Sequence, residues 1–202
     1  MEDLQKISVS QISGRIIDQI AEMENNGKTS AVRATLANLR NSIGRPMSKS
    51  LDVWRIMYEY LPEEFLSKTE KMTPHEKSIL NTLQLYAIHR QGNTENVNIG
   101  KNEAPWKNMG YSLSILRTDD NQVAMDRRFN AMITASSYDE FVHHLRHMLK
   151  LLKKYPSAKI DYPRLAEDLY RFLIGNKESV RINWARSYYT SKNKNKGENK
   201  DE

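Results

Sequence analysis

The sequence predicts an all-α fold: an irregular helical bundle with an N-terminal and a C-terminal helical lobe. Three observations point to it. Apolar residues recur at three- and four-residue spacing along most of the 202 residues. Helix starts and stops punctuate those stripes. No segment alternates apolar and polar residues like a half-buried strand, and no internal repeat is visible.

Taken in order, Ile12, Ile16, Ile20 and Met23 form the first stripe, which ends at Asn25-Asn26-Gly27. Thr29 or Ser30 suits the cap of the next helix, whose inward face is Val32, Leu36 and Leu39. Gly44-Arg45-Pro46 stops it. Ser50 opens a segment with Val53, Trp54, Met57 and Tyr60, which halts around Pro62. Thr73-Pro74-His75-Glu76 is the clearest start. Threonine caps, proline fits the first helical position, and glutamate returns a hydrogen bond. Ile79, Leu80, Leu83 and Ala87 follow. Residues 91–110 are polar and lack periodicity, with Gln91, Gly92, Asn93, Asn96, Asn98, Gly100, Asn102, Pro105 and Gly110. They read as a long polar surface loop that closes an N-terminal lobe over 1–110.

The C-terminal lobe is expected over 111–190. Met125, Phe129, Met132 and Ile133 face one way. Ser137-Tyr138-Asp139-Glu140 is a second capping box. It opens a helix with Phe141, Leu145, Met148, Leu149 and Leu152 inward and Pro156 beyond its end. Asp161-Tyr162-Pro163 begins another, with Leu165, Leu169, Phe172 and Leu173 inward, stopped by Gly175-Asn176. Val180, Trp184, Ala185 and Tyr188 mark the last. From Thr190 onward no apolar residue anchors the chain, so 191–202 are expected as a flexible polar tail.

Cysteine is absent, which excludes disulfides, a cysteine nucleophile and thiolate metal sites. No apolar run approaches the roughly 18 residues of a membrane span, and MEDLQKISVS has no signal-peptide core. A cytoplasmic location without a membrane partner is expected. The formal net charge is +6, unevenly spread. Residues 1–27 hold five acidic and two basic groups. Residues 28–60 hold six basic and two acidic groups, and residues 121–190 hold twelve and seven. Such basic segments attract phosphate.

Catalytic signatures are missing. There is no Walker A motif and no GxGxxG. His143 and His147 lie one turn apart beside His144, but no HExxH arrangement or nearby carboxylate completes a metal site. Asp119-Asp120 and Asp126 sit beside a turn and a helix start, where carboxylates cap exposed amides. No cofactor, metal or catalytic residue is expected. The cations are better organised. Opposite the apolar face of the Ser137 helix lie Arg146, Lys150, Lys153 and Lys154, with His143 and His147 near them. Arg127, Arg128, Arg181 and Arg186 add cations in neighbouring helices, and Asp139, Glu167, Asp168 and Glu178 compete for them as ion-pair partners. Arg33 and Arg40 lie two turns apart, flanked by Lys28, Arg45 and Lys49. No aromatic residue interleaves with these, so binding should follow the phosphate backbone and depend on salt. Two other readings stay open: a structural helical subunit that meets acidic protein surfaces, and a helical enzyme whose site is invisible in sequence.

Several stretches together resemble one family. They are Val32-Arg33-Ala34-Thr35-Leu36-Ala37-Asn38-Leu39-Arg40 with Gly44 and Pro46, then Asp126-Arg127-Arg128-Phe129-Asn130-Ala131-Met132, running into Glu140 to Leu152. Ile160-Asp161-Tyr162, Leu165-Ala166-Glu167-Asp168-Leu169 and Trp184-Ala185-Arg186-Ser187-Tyr188-Tyr189 complete the set. In order and spacing they are similar to the small subunit of the type I-E CRISPR interference complex Cascade, the CasB family. The family usually has a denser arginine ending where this chain has Asn41 after Arg40. The resemblance implies an all-helical, non-catalytic subunit present as a pair. Its implied partners are the backbone and large subunits, CRISPR RNA and target DNA. It implies a clamp on the R-loop through basic surfaces, with Lys28, Arg33, Arg40, Arg127, Arg128, Arg146, Lys150, Lys153 and Arg186 as candidates by position.

Overall fold

The computed structural model describes residues 7–93, 95–99 and 107–195, the side chains of Met47 and 192–195 excepted; among these residues it is all-α. Its helices are α1 (Val9–Asn25), α2 (Thr29–Asn41), α3 (Leu51–Tyr58), α4 (Pro74–His89), α5 (Met109–Ser114), α6 (Gln122–Ile133), α7 (Tyr138–Leu152), α8 (Tyr162–Leu173) and α9 (Lys177–Asn195). Short 3-10 turns occupy Met47–Lys49 and Glu63–Phe65.

Caps explain where several helices begin. At α4 the Thr73 hydroxyl accepts from the Glu76 amide at 3.1 Å, and the Glu76 carboxylate accepts from the Thr73 amide at 2.7 Å. Ser8 and Gln11 form the same box at α1. At α7 the Ser137 hydroxyl accepts from the Glu140 amide at 3.2 Å. There Glu140 also accepts from the Ser136 amide and hydroxyl, at 2.7 and 2.9 Å. Those bonds, hydroxyl first, hold its carboxyl below the usual range.

Neither Thr29 nor Ser30 caps α2; Lys28 occupies the N-cap position without a side-chain bond. The reason is the preceding turn. The Gly27 amide donates to the Glu24 carbonyl and the Lys28 amide to the Met23 carbonyl, closing α1 as a Schellman motif. Gly27 takes φ +78°, so the chain enters α2 at once. Gly175, at φ +96°, ends α8 in the same way, and α9 follows directly.

The chain forms two compact units, Met1–Ala87 with Tyr162–Tyr170, and Ile88–Asp161 with Arg171–Glu202. In the first, Ile12, Ile16, Ile17 and Ile20 of α1 are buried, as are Val32, Leu36 and Leu39 of α2 and Val53 and Met57 of α3. Phe65 stacks on His75 at 4.1 Å, and His75 lies 4.5 Å from Tyr170. The second unit is organised by aromatic rings. Phe129 of α6 stacks on Tyr188 of α9 at 3.8 Å, with planes 2° apart. Phe141 of α7 meets Phe172 at 4.5 Å and Trp184 of α9 at 5.3 Å.

The polar stretch over 91–110 departs from the surface loop expected. Val97, Asn98 and Ile99 are buried. The Ile99 amide donates to the Ile160 carbonyl and the Ile160 amide to the Val97 carbonyl, at 2.9 and 3.0 Å, an isolated parallel bridge. Asn108 caps α5 and donates to the Asn183 carbonyl at 3.1 Å, so its polarity serves packing. Residues 94 and 100–106, with Gly100, Asn102 and Pro105, lie outside the described residues. Helix also persists past Thr190: α9 runs to Asn195 and Ser191 is buried, while 196–202 lie outside the described residues.

At Gly110 a β-carbon would stand 2.0 Å from the Trp184 carbonyl oxygen and 2.7 Å from its Cα. Backbone cannot yield there as a flexible side chain does. Gly110→Ala should destabilise by about 3 kcal/mol, the upper part of the range for overpacking, measured by urea unfolding.

His89 is fully buried, and burial, helped by Arg90, lowers its pKa from 6.5 to about 4. The unfolded chain therefore binds a proton near pH 6.5 that the folded chain refuses. The stability this difference supplies is complete above pH 6.5 and is lost as pH falls toward 4, by up to about 3 kcal/mol. The urea midpoint should fall more steeply over that window in the parent than in His89→Leu; equal slopes would refute it.

Candidate nucleic-acid interface

Helix α7 is split by its own periodicity. Phe141, Val142, Leu145, Met148, Leu149 and Leu152 are buried on one face. His143, His147 and Lys150 are exposed on the other, and Lys154 just beyond the helix is exposed too. The Nε2 atoms of His143 and His147 lie 3.1 Å apart. One ring must donate and the other accept, so this contact holds only while one of them is neutral. The His147 pKa is lowered by partial burial first, then by His143, Lys150, His144 and Arg128. These interactions bring Arg128 of α6 and Lys150 of α7 into one neighbourhood around the histidine pair. His144 lies 4.0 Å from Glu140, one turn back.

The other predicted cations divide into clamps and open side chains. Arg146 is half-buried rather than opposite the core. Its Nε is buried without a hydrogen-bond partner, and burial lowers its pKa against the opposing effect of Tyr138 and Asp139. Arg181 donates to Glu178 at 2.7 Å and to the Ala135 carbonyl, and its guanidinium lies 5.4 Å from the Phe172 ring centre. Lys153 donates to the Gln91 side chain at 3.1 Å. Arg127, Arg128 and Arg186 are exposed.

In the first unit Lys28 and Arg33 are exposed, with Arg45 and Lys49. Arg40 is half-buried and donates to the Ala87 carbonyl at 3.0 Å, where α4 has run out of intrahelical donors. This unit also holds a cleft of about 420 Å³ between α1, α2 and α3, floored by Ile16, Ile20 and Ile56.

Asp126 does not cap a helix. Its carboxylate accepts both Arg117 Nε at 2.8 Å and a terminal guanidinium nitrogen at 3.1 Å. That bond, ahead of the opposing burial, raises the Arg117 pKa. The guanidinium also lies 5.8 Å from the Tyr188 ring centre and 5.2 Å from that of Tyr189. Nothing in the periodicity around Leu116 or Thr118 signals this cluster, because Arg117 belongs to no amphipathic stripe. Among the described residues no group of three or more histidine or acidic side chains is placed to hold a metal, and no helix is long and apolar enough to cross a membrane.

The family model for the CRISPR-associated protein Cse2 matches residues 35–189, most of the chain and both units. The chain belongs to the CRISPR-associated Cse2 family. Solved structures agree in fold. CasB from Thermobifida fusca superposes with a TM-score of 0.70 at 24% identity, covering 89% of this chain and 97% of the other. M. ruber CasB gives 0.68 at 19% identity over 95% and 98%. CasB from Thermus thermophilus gives 0.59 at 20% over 88% and 97%. At such identities the likeness is one of fold. No curated protein matches the chain significantly in sequence. The Cse2 match takes in α6, α7 and α8 whole and most of α2 and α9, so it covers the patch built from Arg128, His143, His147 and Lys150.

The division into clamps and open side chains is testable by stability. Arg146→Ala should cost about 0.5–3 kcal/mol through lost packing of its buried stem. Lys150→Ala and Lys154→Ala should each stay within about 0.5 kcal/mol of the parent. Urea denaturation of the three variants checks both expectations.

Proposed function

We propose that this Cse2-family chain is a non-catalytic subunit of a CRISPR RNA-guided surveillance complex, holding the guide RNA–target DNA R-loop and the displaced strand by charge. The observation that supports this best is the patch on α6 and α7, where Arg128 and Lys150 lie near the histidine pair on the solvent side of a buried apolar face, with Lys154 exposed just beyond the helix. Cations that repel one another in the free protein gain by taking up phosphate between them. Arg127 and Arg186 extend the exposed charge in this unit, and Lys28 and Arg33 supply it in the other. Arg40, Arg146 and Arg181 act chiefly through the protein interior. The implied partners are the backbone and large subunits of Cascade, a second copy of the chain, CRISPR RNA and target DNA.

Such interactions add to an already positioned strand inside the complex, so the isolated chain binds weakly and the assembled one shows the larger effect. Arg128→Glu, Lys150→Glu and Lys154→Glu together should weaken target-DNA binding by similar factors across unrelated sequences. For every single-strand phosphate that a variant no longer neutralises, the slope of log affinity against log salt should fall by about 0.7. Target affinity of the reconstituted complex, measured at several salt concentrations with incorporation checked, reads this out. A folded, fully incorporated triple variant that holds the R-loop like the parent would overturn the assignment. A variant that fails to incorporate while folded would assign the face to an acidic protein surface instead.

A further inference from the structure

Tyr188 and Tyr189 are neighbours in sequence with opposite fates. Tyr188 is fully buried against Phe129, so α9 has already filled its share of the core. Tyr189 remains 37% exposed, yet its ring is held on several sides. Its hydroxyl donates to the Asn130 side chain at 2.8 Å. The Arg117 guanidinium lies 5.2 Å from its centre, itself anchored bidentately by Asp126. Phe129 and Tyr188 meet it edge to face, at 5.9 and 5.0 Å.

The surroundings are cationic. Arg186 lies three residues before Tyr189 on α9 and shares its helical face. Arg127 lies three residues before Asn130 on α6, whose side chain holds the tyrosine hydroxyl. Both arginines are exposed. A fixed, part-exposed aromatic ring with one exposed arginine on its own helix face and another on the helix that holds its hydroxyl combines the two parts of a single-strand site, a stacking surface and a phosphate-tracking charge. Because the ring is already held, little side-chain freedom is lost when a ligand covers it.

We propose that Tyr189 is a stacking platform for an unpaired nucleobase, with Arg127 and Arg186 on the flanking phosphates. This rests on the reading that the chain binds nucleic acid, and deepens it from phosphate contact to base contact. Stacking on an aromatic ring tolerates any base, so the site takes single strands without reading their sequence.

The test titrates the full chain with an oligothymidylate and with an abasic strand of equal length, at fixed low salt. The parent should prefer the thymidylate by about tenfold, within the range of one stacked base. Tyr189→Leu should lose that preference while keeping the parent's affinity and salt slope for the abasic strand. Tyr189→Phe should keep it, since only the hydroxyl bond to Asn130 is removed. Melting temperature confirms that each variant is folded. A parent without preference, or a Leu variant that retains it, overturns the platform and leaves the phosphate-binding reading intact. Binding of neither strand, by the chain alone and by the assembled complex, overturns both.

Discussion

The Trp184 carbonyl oxygen stands only 2.0 Å from where a β-carbon at residue 110 would be, and much of the second unit depends on that contact. Only glycine lets α5 approach α9 so closely, and Asn108 reinforces the approach through the Asn183 carbonyl. With α9 fixed at Trp184, its next turn carries Tyr188 onto Phe129, which sets the rotation of α6. That rotation leaves Arg127 and Arg128 in solvent. Phe141 against Trp184 sets α7 in the same way and turns His143, His147 and Lys150 outward. The open charges thus occupy their positions because aromatic packing on the other side leaves them no alternative.

Helix content was legible because it follows from local rules. The stripe of α7 and the Thr73 box of α4 need only residues three or four apart. The Schellman turn before α2 was half legible. Gly27 marks the stop, but that Lys28 serves both as the end of one motif and as the start of the next helix depends on backbone closure. The stretch around Val97 misled for a different reason. Asparagine-rich sequence reads as surface, yet here the Asn108 amide satisfies a backbone carbonyl of α9, and Ile99 pairs with Ile160.

The candidate site was legible in its charge and not in its sorting. Lysines and arginines at similar helical angles read alike in sequence. In three dimensions the planar forks of Arg40, Arg117 and Arg181 are drawn onto carbonyls and a carboxylate, whereas Arg127, Arg128, Lys150 and Lys154 stay in solvent. The resemblance to the CasB family, resting on short stretches from Val32 to Tyr189, agrees with the Cse2 family match over residues 35–189. Tyr189 escaped because the neighbouring Tyr188 carries the apolar period of α9, and the exposure of Tyr189 follows from the stack of Tyr188 on Phe129.

The central claim is that nucleic acid lies against the outward face of α6 and α7. Photo-crosslinking of the assembled, target-bound complex, followed by mapping of peptides that carry nucleotide, tests it most directly. Crosslinked peptides should cluster between Arg127 and Lys154, with that of Tyr189 beside them, and be sparse along α1, whose surroundings over 1–27 are acidic. Crosslinks confined to other segments, or none to this chain in a complex that contains it and its target, would contradict the account.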